Sequence, residues 1–173
     1  MPCEKTALCA GPTLSSMARL SEIEPRWSML RKKRGQTFGD PVVMPRVLVA
    51  DDQNEMLRIV ESLLQDEFQI VGLAEDGADV LRLVPTLSPD LLILDIFMPK
   101  LNGVETALRL KQSGSNTKVI FLTVYDDPDF LAAALSTGAQ GYVLKPHLAT
   151  DLVPALWDVL AGNMFVSPGL LAK

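Results

Sequence analysis

Five residues able to do chemistry stand directly after short apolar runs. Asp51 and Asp52 follow Val47-Leu48-Val49-Ala50, Asp95 follows Leu91-Leu92-Ile93-Leu94, Thr123 follows Val119-Ile120-Phe121-Leu122, and Lys145 follows Gly141-Tyr142-Val143-Leu144. If these groups meet, three carboxylates repel and raise one another's pKa unless something compensates them. A hard divalent cation does so. Mg2+ takes oxygen ligands, commonly one or two carboxylates together with phosphate oxygens and water. A carboxylate can also attack phosphorus and form an acyl phosphate. Phosphoryl transfer then demands mainly positioning and charge neutralisation. The metal, the Lys145 ammonium and the Thr123 hydroxyl would each cover phosphoryl oxygens. Taken singly, each residue has a plainer role. Asp51 or Asp52 could cap the helix that follows, Thr123 could be a loop hydroxyl, Lys145 a solvated cation, and Tyr142 a core ring with a wet hydroxyl. Asp95 resists such a role, because a carboxylate beside a buried strand is costly without partners or a task.

The elements that must position these groups are legible in the hydrophobic pattern. Met56, Ile59, Val60, Leu63 and Leu64 recur at helical spacing after the first apolar run. Ile70 to Ala74 reads as a second strand, and Val80, Leu81 and Val84 mark a second helix closed by Pro85 and Pro89. A third helix runs from about Gly103 to Lys111. Pro128 opens a fourth that stops near Gly138, and Leu152, Ala155, Leu156, Val159 and Leu160 mark a fifth, stopped by Gly162. Strand and helix therefore alternate five times. The strands are continuous apolar runs, as expected when helices cover both faces of a parallel sheet. Right-handed crossovers leave few topologies, and the expectation is an α/β, flavodoxin-like (βα)5 three-layer fold with parallel sheet order 2-1-3-4-5. In such a sheet all carboxyl strand ends open on one edge, and ligands bind where the strand order reverses. Strands one and three flank that point, which brings Asp51, Asp52 and Asp95 together.

Composition bounds the rest. The 173 residues are 48% hydrophobic, ample for a packed core. Residues 1–44 carry seven basic against four acidic side chains, net +3, and the remainder nine against seventeen, net −8. So acidic a body is a poor match for a phosphate backbone, and direct nucleic-acid binding by residues 45–173 is not expected. Both cysteines, Cys3 and Cys9, lie in the first ten residues without metal-ligand spacing, and the body has none, as suits a reducing, cytoplasmic compartment. No apolar run is long enough to span a membrane, and no secretory signal pattern is present. Residues 1–44 mix Pro, Gly, Ser and Thr with the run Arg31-Lys32-Lys33-Arg34. They read as a disordered tail, and Met44 is an alternative natural start. The basic run reads as a solvated cluster.

The pieces Val49-Ala50-Asp51-Asp52, Leu94-Asp95-Ile96-Phe97-Met98-Pro99 with Gly103, Leu122-Thr123 and Tyr142-Val143-Leu144-Lys145-Pro146, in this order, resemble the receiver domain of bacterial response regulators. The resemblance covers about residues 45–163. It implies that Asp95 accepts a phosphoryl group from a phosphohistidine on a sensor histidine kinase or a phosphotransfer protein. It also implies that Asp51, Asp52, Asp95 and the backbone carbonyl of Phe97 hold Mg2+, and that Lys145 and Thr123 bind the phosphoryl group. Lys145-Pro146 resembles the family's cis peptide. Thr123 and Tyr142 resemble its switch pair, with Thr123 moving onto the phosphoryl group and Tyr142 swinging inward behind it. The surface that changes would be helix four, strand five and helix five, and whether a homodimer forms through that face is left open by the residues. No enzyme activity on other molecules is implied beyond the protein's own phosphorylation and dephosphorylation. His147, the one histidine, reads as a loop residue, since the donor histidine belongs to the partner.

Two details are particular to this chain. Val124 stands where the family often has a smaller side chain. Phe97 and Tyr125, each two residues past a site residue, could shield an acyl phosphate from water. Leu122 to Pro146 most resembles receivers of the NarL/FixJ type, which usually carry a LuxR-type helix-turn-helix after a linker. Gly162 to Pro168 resembles the start of that linker, and residues 164–173 read as a linker-like tail too short for a helix-turn-helix. A stand-alone receiver and a truncated transcription factor are thus both open, as is a receiver-like module that is never phosphorylated. A phosphatase with an aspartyl nucleophile would want Asp-x-Asp, whereas Ile96 and Phe97 follow Asp95. A flavin module would want a Ser/Thr/Gly phosphate cradle after strand one, where two acids stand instead.

Overall fold

A computed structural model of the protein describes residues 44–171. The expectations for residues 1–43 lie outside the described residues. Strand β1 (Arg46–Ala50) leads to helix α1 (Asn54–Leu64), and β2 (Gln69–Ala74) to α2 (Gly77–Leu87). Then come β3 (Leu91–Asp95), α3 (Gly103–Gln112), β4 (Lys118–Thr123), α4 (Pro128–Ser136) and β5 (Gly141–Leu144). One 3-10 turn (Lys145–His147) connects to α5 (Leu148–Ala161), followed by a short β6 (Phe165–Val166) and α6 (Pro168–Leu171). The sheet order is β2-β1-β3-β4-β5-β6, and every pairing is parallel. The flavodoxin-like order expected from the sequence is present, with one strand added at the edge.

Apolar runs become strands because both faces are covered. All five residues of β3 are buried, and β1, β4 and β5 are buried except at the first residues of β1 and β4. Local chemistry sets the helix ends. Asp76, Asn102 and Asp127 each accept a backbone N–H in the first turn of α2, α3 and α4, and Gly162 ends α5 in the left-handed conformation.

Three local expectations differ from the structure. The buried stripe of α1 is Leu57, Val60 and Leu64, one residue on from the expected face, and Ile59 is 42% exposed. Helix α2 does not close at Pro85 but passes through it, ending at Ser88 in a left-handed conformation. Pro85 sits in the last turn, where losing one donor costs little continuity. The described part of the segment read as linker-like, residues 164–171, is built into the fold. Phe165 N–H donates to Gln140 O and Ser167 N–H to Tyr142 O, extending the sheet past β5. Ser167 Oγ donates to Asp151 Oδ2 at 2.6 Å and accepts from Leu144 N at 3.1 Å, while Leu170 is buried. Without β6, the edge of β5 would present unpaired backbone groups.

Candidate functional site

The carboxyl ends of β1 and β3 lie side by side, with Ala50 paired to Leu94, so the residues just beyond them share one cleft. Carboxylate oxygens of Asp51, Asp52 and Asp95 all lie within 4.8 Å of one another. Asp51 and Asp95 are buried and Asp52 is exposed. Lys145, from the end of β5, reaches across with its side chain almost fully enclosed. Its Nζ stands 2.7 Å from Asp51 Oδ2 and 3.3 Å from Asp95 Oδ1. All five strand-end residues singled out in the sequence thus belong to this edge, and Asp51, Asp95 and Lys145 meet there in ion pairs.

The helix-cap role raised for Asp51 and Asp52 is not what the chain uses. The residue preceding α1 is Gln53, with no side-chain cap. Asp51 instead accepts Gln53 N–H through Oδ1 at 2.9 Å, and its own N–H donates to Ala74 O. That fixes the carboxylate and leaves Oδ2 aimed at the cluster. Oδ2 is buried and makes no aligned hydrogen bond; the Lys145 ammonium touches it as a charge without hydrogen-bond alignment. A buried carboxylate oxygen with spare lone pairs, beside two more carboxylates, is the donor set a hard cation takes.

Burial is the main cause that pushes the Asp95 carboxyl up to about 6; Lys145 opposes it and the neighbouring Asp51 adds to it. At neutral pH Asp95 is still mostly ionised, so the nucleophilic form is the major one. Thr123, fully buried at the end of β4, accepts Tyr125 N–H through Oγ1 at 3.2 Å. Tyr142 is also fully buried, and its hydroxyl donates to Tyr125 O at 2.9 Å. Its pKa is pushed up to about 12, first by burial, with the Thr123 hydroxyl opposing and Asp127 and Asp126 adding to it. The Tyr142 ring is thus buried in this structure, and its hydroxyl tethers the loop after β4.

The Lys145-Pro146 peptide is trans, not cis; no cis peptide occurs among the described residues. Trans is the lower-energy form by about 0.5–1 kcal/mol even before proline. Here β5 runs straight into the 3-10 turn, whose Lys145 O accepts Leu148 N–H, and Lys145 reaches both carboxylates from that turn. His147 is exposed in the same turn, as expected of a loop residue.

Phe97 and Tyr125, on the loops that follow β3 and β4, have ring centroids 4.7 Å apart and are 47% and 39% exposed. Sequence reading missed the third member of this group. Phe130, in the first turn of α4, lies 4.8 Å from the Tyr125 ring and 5.6 Å from that of Phe97. Its one signal was an aromatic soon after Pro128, which a count of strand-end residues does not register. The lacing of the loop before α3 was also missed. Gly77 N–H donates to Leu101 O, and Lys100, at φ +62°, pairs with the buried Asp76 at 2.5 Å.

A doubly wound parallel sheet with an acid cluster and one enclosed lysine at its switch point defines the class: an α/β protein whose site suits an anion held with a cation. Its sequence is more specific. Residues 47–156 match the family model of the response regulator receiver domain, and the chain belongs to that family. It is 35% identical over 125 residues to the transcriptional regulatory protein DegU of Brevibacillus brevis, covering 71% of this chain and 53% of that one. With the response regulator GacA of Pseudomonas aeruginosa it shares 34% over 127 residues, covering 72% and 59%. The chain thus spans little more than half the length of these relatives. Among solved structures, it superposes on the receiver domain of a NarL response regulator from Mycobacterium tuberculosis with TM-score 0.67 and 32% identity, covering 69% of this chain and 98% of that one. It also matches the isolated receiver domain of RcsB from Salmonella enterica, solved with a phosphomimetic, with TM-score 0.70 and 27% identity, covering 75% and 98%. Its relatives are response regulators of the NarL and LuxR type, and its part in two-component signalling follows from that membership. Among the described residues, no helix is long and apolar enough to cross a membrane.

Proposed function

We propose that this domain takes a phosphoryl group onto Asp95 from a phosphohistidine of a sensor histidine kinase or phosphotransfer protein, in the cytoplasm and with Mg2+ bound. The observation that carries this reading is the cluster of Asp51, Asp52 and Asp95, two of them buried, with Lys145 between those two. Asp51, Asp52, Asp95 and the Phe97 carbonyl would hold the cation. Bound there, Mg2+ supplies neutralisation of charge on the phosphoryl oxygens. An Asp95 oxygen forms the new bond to phosphorus while the bond to the donor nitrogen breaks and its electron pair leaves with the donor. Lys145 is already fixed by the acids and needs little rearrangement to meet a phosphoryl oxygen. Thr123 exchanges its bond from Tyr125 N–H for one to the phosphoryl group. That frees the loop after β4 and alters how Tyr142 holds it, so the change is read out on the face of α4, β5 and α5. That face is also the proposed homodimer surface. The protein acts as a phosphoacceptor, not as an enzyme on other substrates. With a net charge of −8, residues 45–173 are proposed to signal through protein contacts rather than by binding nucleic acid themselves.

Incubation with acetyl phosphate and Mg2+, followed by intact mass, tests the reading. Wild type gains one phosphate-sized mass, while Asp95→Asn and chelated samples gain none. An unmodified wild type, or a modified Asp95→Asn, refutes it.

Phe97 and Tyr125 are proposed to slow hydrolysis by keeping water from the acyl phosphate. Replacing both with asparagine shortens its lifetime about tenfold, as expected when an ordered apolar screen is lost. Following the mass after donor removal measures it; an unchanged lifetime counts against the screen.

Relatives named as transcriptional regulators favour gene control as the downstream output. DNA sequence downstream of the reading frame tests this: an in-frame helix-turn-helix supports a longer transcription factor, and its absence supports a stand-alone receiver.

A further inference from the structure

We propose that Phe130 is a positioning residue that sets the lifetime of the phosphoryl group, by holding Phe97 and Tyr125 together at the mouth of the site. This rests on the reading of Asp95 as phosphoacceptor. The two screening residues are anchored unequally. Tyr125 is pinned through its backbone on both sides, its N–H to Thr123 Oγ1 and its carbonyl to the Tyr142 hydroxyl. Phe97 sits on the loop between β3 and α3, nearly half exposed, and its ring contacts are with Tyr125 and Phe130. Aromatic pairs at centroid distances of about 4.5–7 Å attract beyond their buried area. A ring gripped by two neighbours is therefore held more firmly than one resting on a single partner. All three pairs here fall in that range, at 4.7, 4.8 and 5.6 Å, so the rings close a triangle.

The third ring comes from a different element. Phe130 stands in the first turn of α4, whose start is fixed by Pro128 and by the Asp127 cap on Asp129 N–H. Through it, the position of α4 and the tightness of the screen become one property. Anything that displaces the start of α4 loosens Phe97, and a firmly held screen in turn favours the present place of α4, since coupling of this kind is reciprocal. A helix thought of as an output surface would thus also govern how long the signal lasts.

The full chain is phosphorylated with acetyl phosphate and Mg2+, the donor is removed, and the phosphorylated mass is followed in wild type, Phe130→Ala, Phe130→Leu and Phe130→Tyr. The same Phe130→Ala change is made in a chain already carrying Phe97→Asn and Tyr125→Asn. Loss of the ring shortens the lifetime roughly two- to tenfold. Phe130→Tyr, which keeps the ring, restores it, and Phe130→Ala adds nothing where the other two rings are gone. Phe130→Leu keeps bulk without a ring and gives the same shortening even if the alanine variant folds poorly. A lifetime indifferent to Phe130, or an equal shortening with Phe97 and Tyr125 already replaced, overturns the proposal while leaving Asp95 as acceptor. A wild type that takes no phosphate on Asp95 overturns both.

Discussion

Gly103→Ala destabilises the protein by about 3 kcal/mol or more and lowers its melting temperature by roughly 10 °C. A Cβ at Gly103 would lie 2.1 Å from the carbonyl oxygen of Asp95 and 3.0 Å from Ile96 Cα. Those are backbone atoms of the residue proposed to accept phosphate and of its neighbour, and no rotamer can move them aside. Relief requires α3 to lift off the end of β3, which breaks the bond from Gly103 N–H to Ile96 O and disturbs the loop that carries Phe97. Gly114 is the control. It has φ +74° and nothing near its Cβ position, so Gly114→Ala costs only the left-handed backbone, about 1–2 kcal/mol. Thermal melts of the two variants decide between close approach and conformational freedom as the reason for glycine. Equal losses would refute the account given for Gly103. The larger loss at Gly103 also brings a lower yield of phosphorylated protein, because the acceptor's own backbone is displaced.

Asp95→Asn has the opposite effect on stability in metal-free protein. In the folded chain the Asp95 carboxyl is raised from 3.8 to about 6, chiefly by burial. The folded state therefore binds a proton more tightly than the unfolded state between those values. Stability falls as pH rises through that window, and the penalty is complete above it. The shift corresponds to about 3 kcal/mol as an upper figure. Asparagine has no charge to bury, and Lys145 keeps Asp51 as a partner at 2.7 Å. At pH 7.5 with chelator present, Asp95→Asn melts several degrees higher than wild type. The difference shrinks towards zero near pH 4, where both chains are neutral at this position. Added Mg2+ narrows the gap at pH 7.5 by stabilising wild type, as any ligand of the folded state does. A variant that melts below wild type in chelator at pH 7.5 refutes burial as the dominant influence on Asp95.

Much of the fold was legible because parallel α/β architecture writes itself into local pattern. Continuous apolar runs mark strands covered on both faces, and helical spacing with Gly and Pro punctuation marks the crossovers. What escaped was short or marginal. Phe165 and Val166 are two residues, too few for any period, and they become a strand only by pairing with Gly141 and Tyr142 of β5. In α1 the apolar residues cover so wide an arc that Ile59 and Leu57 both fit a stripe. Packing on the sheet buried Leu57 and left Ile59 outside. Pro85 was read as a stop because its ring breaks a helix interior, but in a last turn it removes only one bond.

By itself the sequence determined which chemical groups the site contains. Asp51, Asp52, Asp95, Thr123 and Lys145 each terminate a strand, and a parallel sheet delivers every such end to one edge whatever the details of packing. Tertiary structure alone decided how those groups meet. It placed Lys145 between Asp51 and Asp95 from a trans peptide, left Asp51 Oδ2 without an aligned partner, and tethered Tyr125 to Thr123 and Tyr142. It also joined Phe130 to two rings from other loops, and brought Gly103 against the backbone of Asp95. The physical reason is one of range. Backbone periodicity is a local property that a short window of residues carries. Distances and burial between side chains far apart in sequence are fixed only when the layers close, and with them the pKa of Asp95.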